Sequence, residues 1–243
     1  MAGTNPDKPL APATLAAQAA GATDAQTGGV VPAVHMATTF ARDENYDQLV
    51  PGNTYLRAHN ENVRVAERLL TGLEGAADTA LFPSGMAAVA AVFRTVPNGA
   101  SVVVQSQIYW GTTAWIRAFC ARRDIALIEV EASDSDAFAT ACNTHRPVLA
   151  WVETPSNPWL RIVDITAVAA AAHNVGAVLV VDSTAATPVL SQPLAFGADI
   201  VMHSATKGIN GHSDVLSGAL CVADADHATW RMNREDRDMA GAV

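Results

Sequence analysis

Ala177-Val178-Leu179-Val180-Val181-Asp182 and, a short crossover later, Asp199-Ile200-Val201-Met202-His203-Ser204-Ala205-Thr206-Lys207 decide the fold of this chain. The first run is apolar without alternation, the pattern of a strand covered on both faces in a parallel sheet, and it ends in an acid. The second is a similar run that ends just before Ser204. The residues between them suffice for a crossover, so both strands point the same way and deliver Asp182 and Lys207 to one carboxyl edge. Ligands of open α/β sheets bind at that edge.

Working outward, the same rhythm recurs. Val63, Ala66, Leu69, Leu70 and Leu73 repeat at helical spacing between Glu61 and Glu74, and Gly75 stands where that helix would stop. Strand-like 79–82, 101–105, 125–130, 148–152 and 177–181 are followed by helix-like 86–94, 112–122, 134–142, 165–173 and a turn with a short helix around 190–196. This βαβα order predicts an α/β fold, a mainly parallel sheet with helices on both faces. Residues 61–243 read as one domain. Residues 1–60 read as an N-terminal arm lying on a neighbouring surface, with a flexible start as the alternative.

Composition narrows the function. The net charge of −9 argues against a nucleic-acid partner, and half of the residues are apolar, enough for one substantial core. No apolar stretch suggests a membrane span. Cys120, Cys142 and Cys221 show no CxxC spacing and read as buried free thiols of a cytoplasmic protein. The chain has neither GxGxxG nor a Walker loop, which weakens dinucleotide and nucleotide readings. His203, His212 and Asp214 fit no common zinc pattern, and Ser84 lacks the GxSxG elbow of a serine hydrolase.

The loops that follow parallel strands share a rim, and their residue types are coherent. Ser84 can cap the helix after 79–82, leaving its first amides to face an anion, and Gly85 lets that backbone approach closely. Tyr109 offers a ring for stacking on a flat molecule. Asn157, in the proline-stiffened loop 153–158, can donate to a ring oxygen. With the amine of Lys207, the carboxylate of Asp182 and the hydroxyls of Ser204 and Thr206, these match the needs of pyridoxal phosphate: a Schiff-base amine, an acid for the pyridine nitrogen and a phosphate cradle. Each residue alone also has an ordinary reading: strand-end acid, surface lysine, capped helix, core tyrosine or turn asparagine.

From about residue 27 onward the chain resembles the pyridoxal-phosphate enzymes of cysteine and methionine metabolism, the cystathionine synthase and lyase group. The resemblance rests on Asp199 to Lys207 continuing through Asn210-Gly211-His212-Ser213-Asp214. Further matches are Val181-Asp182-Ser183-Thr184 with Ala186-Thr187-Pro188, Glu153 to Pro158, Ser84-Gly85-Met86, and Tyr55-Leu56-Arg57. It implies an aspartate-aminotransferase-like, fold type I large domain binding pyridoxal 5'-phosphate. Lys207 would be the Schiff-base lysine and proton shuttle, and Asp182 the partner of the pyridine nitrogen. Tyr109 would stack on the ring and assist proton transfer. Gly85, Met86, Ser204 and Thr206 would bind the phosphate, and Asn157 would contact the ring hydroxyl. Tyr55 and Arg57 would reach the phosphate in a neighbouring subunit, so the implied assembly is a homo-oligomer, at least a dimer and usually a tetramer.

The implied chemistry is transsulfuration, β- or γ-elimination or γ-replacement on sulfur amino acids or activated homoserine. Departures from the family pattern fall at Asn60-Glu61-Asn62, where Asn-Pro-Thr is usual, and at Ser183 and Ala185, where Asn and Phe are usual. These leave cofactor attachment intact and bear on the pocket wall. Family members continue into a smaller domain that supplies an arginine for the substrate carboxylate, whereas this chain stops at Gly241-Ala242-Val243, as expected of a truncated product or a fragment. A non-catalytic, cofactor-binding or assembly module is therefore the alternative.

Overall fold

The computed structural model describes residues 11–17, 21–24, 26–58 and 60–240. The first ten residues of the expected arm and the final Gly241-Ala242-Val243 thus lie outside the described residues. In chain order the elements are α1 (Pro12–Ala17), α2 (Glu61–Glu74), β1 (Asp78–Phe82), α3 (Gly85–Arg94), β2 (Ser101–Gln105) and α4 (Trp110–Arg122). There follow β3 (Ala126–Val130), α5 (Ser135–His145), β4 (Leu149–Glu153), α6 (Ile165–His173), β5 (Val178–Asp182) and α7 (Thr187–Leu190). After a 3-10 turn at Pro193–Phe196 come β6 (Ile200–His203), β7 (Gly218–Val222) and α8 (Ala228–Ala240).

The strands form one sheet in the order β1-β7-β6-β5-β4-β2-β3. The β2, β3, β4, β5 and β6 pairings are parallel, and β7 runs antiparallel to both β6 and β1. Six strands therefore point one way and β7 alone returns. The mainly parallel sheet expected from the sequence is present, with one reversed strand added to it.

Successive residues of the central strands enter opposite cores, which is why these strands show no polar alternation. Val180 of β5 joins Phe93 of α3, Ile116 of α4, Trp151 of β4 and Trp230 of α8 on one face. Leu179 and Val181 join Leu70 of α2, Phe138 of α5 and Val168 of α6 on the other. Phe93 and Trp151 have no exposed surface, and their ring centroids are 5.7 Å apart. Burying side chains of this size contributes roughly 1.5–3 kcal/mol each.

The helix ends follow local chemistry. Asn60 caps α2 by accepting from the Asn62 N–H at 2.8 Å, and Gly75 closes it in the left-handed region at φ 64°. Asp134 and Asp164 cap α5 and α6 in the same manner. Between 26 and 58 the arm is irregular, carries isolated bridges Thr39 to Tyr55 and Arg42 to Gln48, and leaves Val30, Val34, Met36 and Tyr46 exposed. Among the described residues no helix is long and apolar enough to cross a membrane.

Candidate active site

The strand register puts two carboxylates side by side at the rim. Glu153, the last residue of β4, pairs directly with Asp182, the last residue of β5. Both are buried, at 4% and 6% exposure. Burial, and then the charge of Asp182, push the Glu153 carboxyl up to about 7. Burial also raises Asp182, against the pull of its hydrogen bonds from Thr184. The Oδ1 of Asp182 accepts from the Thr184 hydroxyl at 2.6 Å and the Thr184 N–H at 3.0 Å, whereas its Oδ2 accepts nothing among the described residues. A carboxylate held this way, with one oxygen spare, suits a cationic N–H donor.

Glu153 was quoted in the sequence as a loop residue, yet it organises the rim. Its Oε2 accepts from the Tyr109 N–H at 2.9 Å and its Oε1 from the Asn157 N–H at 2.6 Å, so one carboxylate fixes the loops after β2 and β4 together. The Glu153 N–H in turn donates to Gln105 Oε1 at 2.8 Å. Thr184 performs the same service next door: while donating to Asp182, its hydroxyl accepts from the Ser204 N–H at 2.8 Å, linking the loops after β5 and β6. In the sequence Glu153 stood out only as the first residue of the stretch Glu153 to Pro158, with no role of its own. Its neighbour on the next strand is set by the sheet.

The anion cradle forms where β1, β6 and β7 meet. Ser84 caps α3, its Oγ accepting from the Ala87 N–H at 3.1 Å, and the N–H groups of Gly85 and Met86 have no acceptor among the described residues. Three chain segments approach closely there because two of the facing residues are glycines. A Cβ on Gly85 would stand 2.8 Å from Ser204 Cβ, and one on Gly218 would stand 2.2 Å from the Ser84 carbonyl oxygen. This closeness brings the Ser204 side chain to the N-terminus of α3, where amides and helix dipole favour an anion.

Lys207 lies in the turn that leaves β6, its N–H donating to the Ser204 carbonyl at 3.0 Å and its carbonyl accepting from the Gly211 N–H at 2.9 Å. Its side chain is exposed and forms no ion pair among the described residues. Thr206 is in the same turn, but its hydroxyl donates to the Ser217 carbonyl at 3.0 Å and accepts from the Ser217 N–H at 2.9 Å. As it stands, Thr206 closes the base of the lysine loop instead of facing the cradle. Tyr109 begins α4 with its ring folded over Gly111, where a Cβ would stand 2.6 Å from the ring.

Asn157 is exposed, and only its backbone is engaged with Glu153. Tyr55 and Arg57 stand apart on the arm, the guanidinium 5.1 Å from the tyrosine ring centroid, and no hydrogen bond joins them to this rim among the described residues. His203, weighed in the sequence as a metal ligand, points away from solvent and pairs with Glu74 of α2 at 2.5 Å. Among the described residues no group of three or more His, Cys, Asp or Glu could hold a metal.

The arrangement fits pyridoxal phosphate on structural grounds. Free amides and Ser204 offer a phosphate site, the uncompensated Asp182 a place for a protonated ring nitrogen, and Lys207 a primary amine. Comparison with known proteins agrees. A family model described as Cys/Met metabolism PLP-dependent enzyme matches residues 13–243. Cystathionine gamma-synthase of Mycobacterium tuberculosis is 41% identical over 216 residues, 88% of this chain and 55% of the relative. Cystathionine gamma-lyase of Dictyostelium discoideum is 36% identical over 205 residues, 82% of this chain and 51% of the relative.

Among solved structures, cystathionine gamma synthase from Xanthomonas oryzae pv. oryzae in complex with aminoacrylate and cysteine superposes with a TM-score of 0.90 at 34% identity. That match covers 97% of this chain and 60% of the other. The chain thus spans about half the length of the curated relatives it matches. The sheet with its two helical layers is the aspartate-aminotransferase-like fold of those structures. This chain belongs to the pyridoxal-phosphate-dependent enzymes of cysteine and methionine metabolism.

Proposed function

We propose that the protein is a pyridoxal-phosphate-dependent transsulfuration enzyme acting on sulfur amino acids or activated homoserine. The reaction is β- or γ-elimination or γ-replacement, as in cystathionine gamma-synthases and cystathionine lyases. The observation that carries this reading is the meeting, on one rim, of the Lys207 loop, the half-satisfied Asp182 carboxylate and the acceptor-free amides of Gly85 and Met86. When bound, pyridoxal phosphate supplies an electron sink for charge developing at the substrate α carbon.

The chain's own residues divide the remaining work. The Gly85 and Met86 N–H groups and Ser204 would hold the phosphate, and Thr206 would join them if its hydroxyl turned from Ser217. Asp182 Oδ2 would face the ring nitrogen, with Thr184 keeping that carboxylate aimed. Tyr109 would lie against the ring and assist proton transfer, and Asn157 would meet the ring hydroxyl. Lys207 Nζ would be the amine that holds the cofactor and the base that takes and returns the α-proton. Tyr55 and Arg57 belong to the same proposal as phosphate ligands of a neighbouring subunit in a dimer or tetramer. The exposed apolar residues of the arm support such an assembly. A cytoplasmic setting is supported by three buried free thiols.

Adding pyridoxal phosphate to the purified chain, reducing with borohydride and mapping peptides tests the assignment. The adduct is expected on Lys207, and Lys207→Ala is expected to keep its fold and lose both adduct and turnover. Turnover retained by Lys207→Ala, or an adduct elsewhere, refutes it. The alternative reading is a cofactor-binding or assembly module without catalysis. Adduct on Lys207 without elimination from cystathionine, cysteine or homoserine derivatives would select that reading.

A further inference from the structure

The polar seam beneath α8 plays no part in the chemistry above, yet it holds one of the most deeply buried cations of the fold. Arg237 is 3% exposed. Its two terminal nitrogens reach two different elements. One donates to the Ala58 carbonyl at 3.1 Å, and the other stands 3.2 Å from Glu67 Oε1 of α2. Its Nε lies 3.0 Å from Asp238 Oδ1 without the alignment of a hydrogen bond.

Glu67 is itself anchored, since its Oε1 accepts from the Leu81 N–H of β1 at 3.0 Å, and Arg234 approaches it at 3.5 Å. Arg234 also donates to the Thr79 carbonyl at 3.0 Å, and Trp230 donates to Asp78 Oδ2 at 3.0 Å. The seam is therefore rigid on the sheet side, and Arg237 is the residue that reaches out of it to the arm.

What it holds there is specific. Ala58 ends a turn closed by its own N–H to the Tyr55 carbonyl at 3.1 Å, and this turn displays Tyr55 and Arg57. Upstream, the turn is tied to the arm by the Leu56 N–H to the Thr38 carbonyl at 2.9 Å. Downstream, Asn60 enters α2. The Ala58 carbonyl accepts from no other group among the described residues, so Arg237 supplies the one hydrogen bond found at this end of the turn between the chain's entry into α2 and the Tyr55 carbonyl. A planar fork with donors on separate nitrogens is needed to span carbonyl and carboxylate together, which an ammonium cannot reproduce.

We propose that Arg237 is a positioning residue that clamps the Tyr55–Ala58 turn to α2 and the sheet, and so presets Arg57 for its phosphate. The second half rests on the reading of Arg57 given under the proposed function. The clamp itself does not.

Hydrogen exchange followed by mass spectrometry on the full chain tests the clamp, using wild type, Arg237→Lys and Arg237→Gln. Arg237→Lys keeps a cation opposite Glu67 and guards against general unfolding. Peptides covering 38–58 are expected to exchange about tenfold faster in both variants, the scale of one hydrogen bond from a charged donor. Peptides from β4 and β5 are expected to be unchanged in Arg237→Lys. Unchanged exchange at 38–58 in Arg237→Lys, or acceleration spread evenly over the sheet, overturns the clamp.

Pyridoxal phosphate titrations of Arg57→Ala, Arg237→Lys and the double variant test the presetting of Arg57. Arg237→Lys is expected to weaken binding alone and to add nothing in the Arg57→Ala background. Additive losses overturn that half. If Arg57→Ala binds as wild type, the phosphate role of Arg57 falls, and the clamp is still judged by exchange.

Discussion

Replacing Glu153 with Gln tests how the rim is held together, because the paired carboxylates give a signed pH dependence. In the fold Glu153 sits at about 7, against an ordinary 4.5. A carboxyl raised by folding keeps its proton while the unfolded chain releases one, so stability falls as pH rises between those two values and is level above them. The full effect is about 3 kcal/mol, of which roughly 2.5 kcal/mol develops between pH 5 and pH 8.

Glutamine keeps the shape but can accept from only one of the Tyr109 and Asn157 N–H groups, a loss of about 1–2 kcal/mol that does not vary with pH. Urea titration of cofactor-free protein should therefore find Glu153→Gln slightly less stable near pH 5 and more stable near pH 8, so that the two curves cross. Asp182 contributes a slope of the same sign in both proteins. Parallel curves for wild type and variant across this range would refute the idea that Glu153 carries a buried, uncompensated charge.

Gly218→Ala places a methyl group 2.2 Å from the Ser84 carbonyl oxygen, a backbone atom with no freedom to yield, and should cost at least ~2 kcal/mol in a thermal melt while weakening phosphate binding. Thr184→Val removes the hydroxyl shared by Asp182 and Ser204 and should cost about 1–3 kcal/mol, recovered by Thr184→Ser in the same denaturation assay. Asp182→Asn should move two quantities in opposite directions. Relief of a buried charge makes the cofactor-free protein more stable at neutral pH, and loss of the anion weakens pyridoxal phosphate binding about tenfold or more in a visible-absorbance titration.

The apolar runs ending in Asp182 and before Ser204 made the central sheet legible, because strands buried on both faces cannot hide in a polar pattern. Helix α2 was readable to its last residue, since its apolar spacing runs between Glu61 and Glu74 and Gly75 marks its end. Strand β7 and helix α8 were not legible. The β7 strand follows the long lysine loop, and its antiparallel return depends on finding a vacancy between β1 and β6. The buried stripe of α8 is Trp230, Asn233 and Arg237, mostly polar, so a search for apolar periodicity passes over it.

The short helix expected near 190–196 is instead a single turn at Thr187–Leu190 followed by a 3-10 turn, because Pro188 and Pro193 each restart the chain. At the site the acid, the amine and the capped helix were visible as types. The joint grip of Glu153 on Tyr109 and Asn157 was not, because it exists only once β4 lies between β2 and β5.

The contact of Gly85, Ser204 and Gly218 also bears on how such a site can diverge. Gly218 lies against the Ser84 backbone and Gly85 against the Ser204 side chain, with no room for a Cβ at either glycine, so substitution there meets steric refusal whatever the new chemistry, and drift is channelled elsewhere. The positions beside Asp182 are unlike it: Ser183 is enclosed with a hydroxyl that has no partner among the described residues, and Ala185 is exposed and small. New substrate preferences would therefore be written into the surround of the cofactor while its seat stays frozen, and a library aimed at altered specificity should spare the three touching residues and randomise 183 and 185.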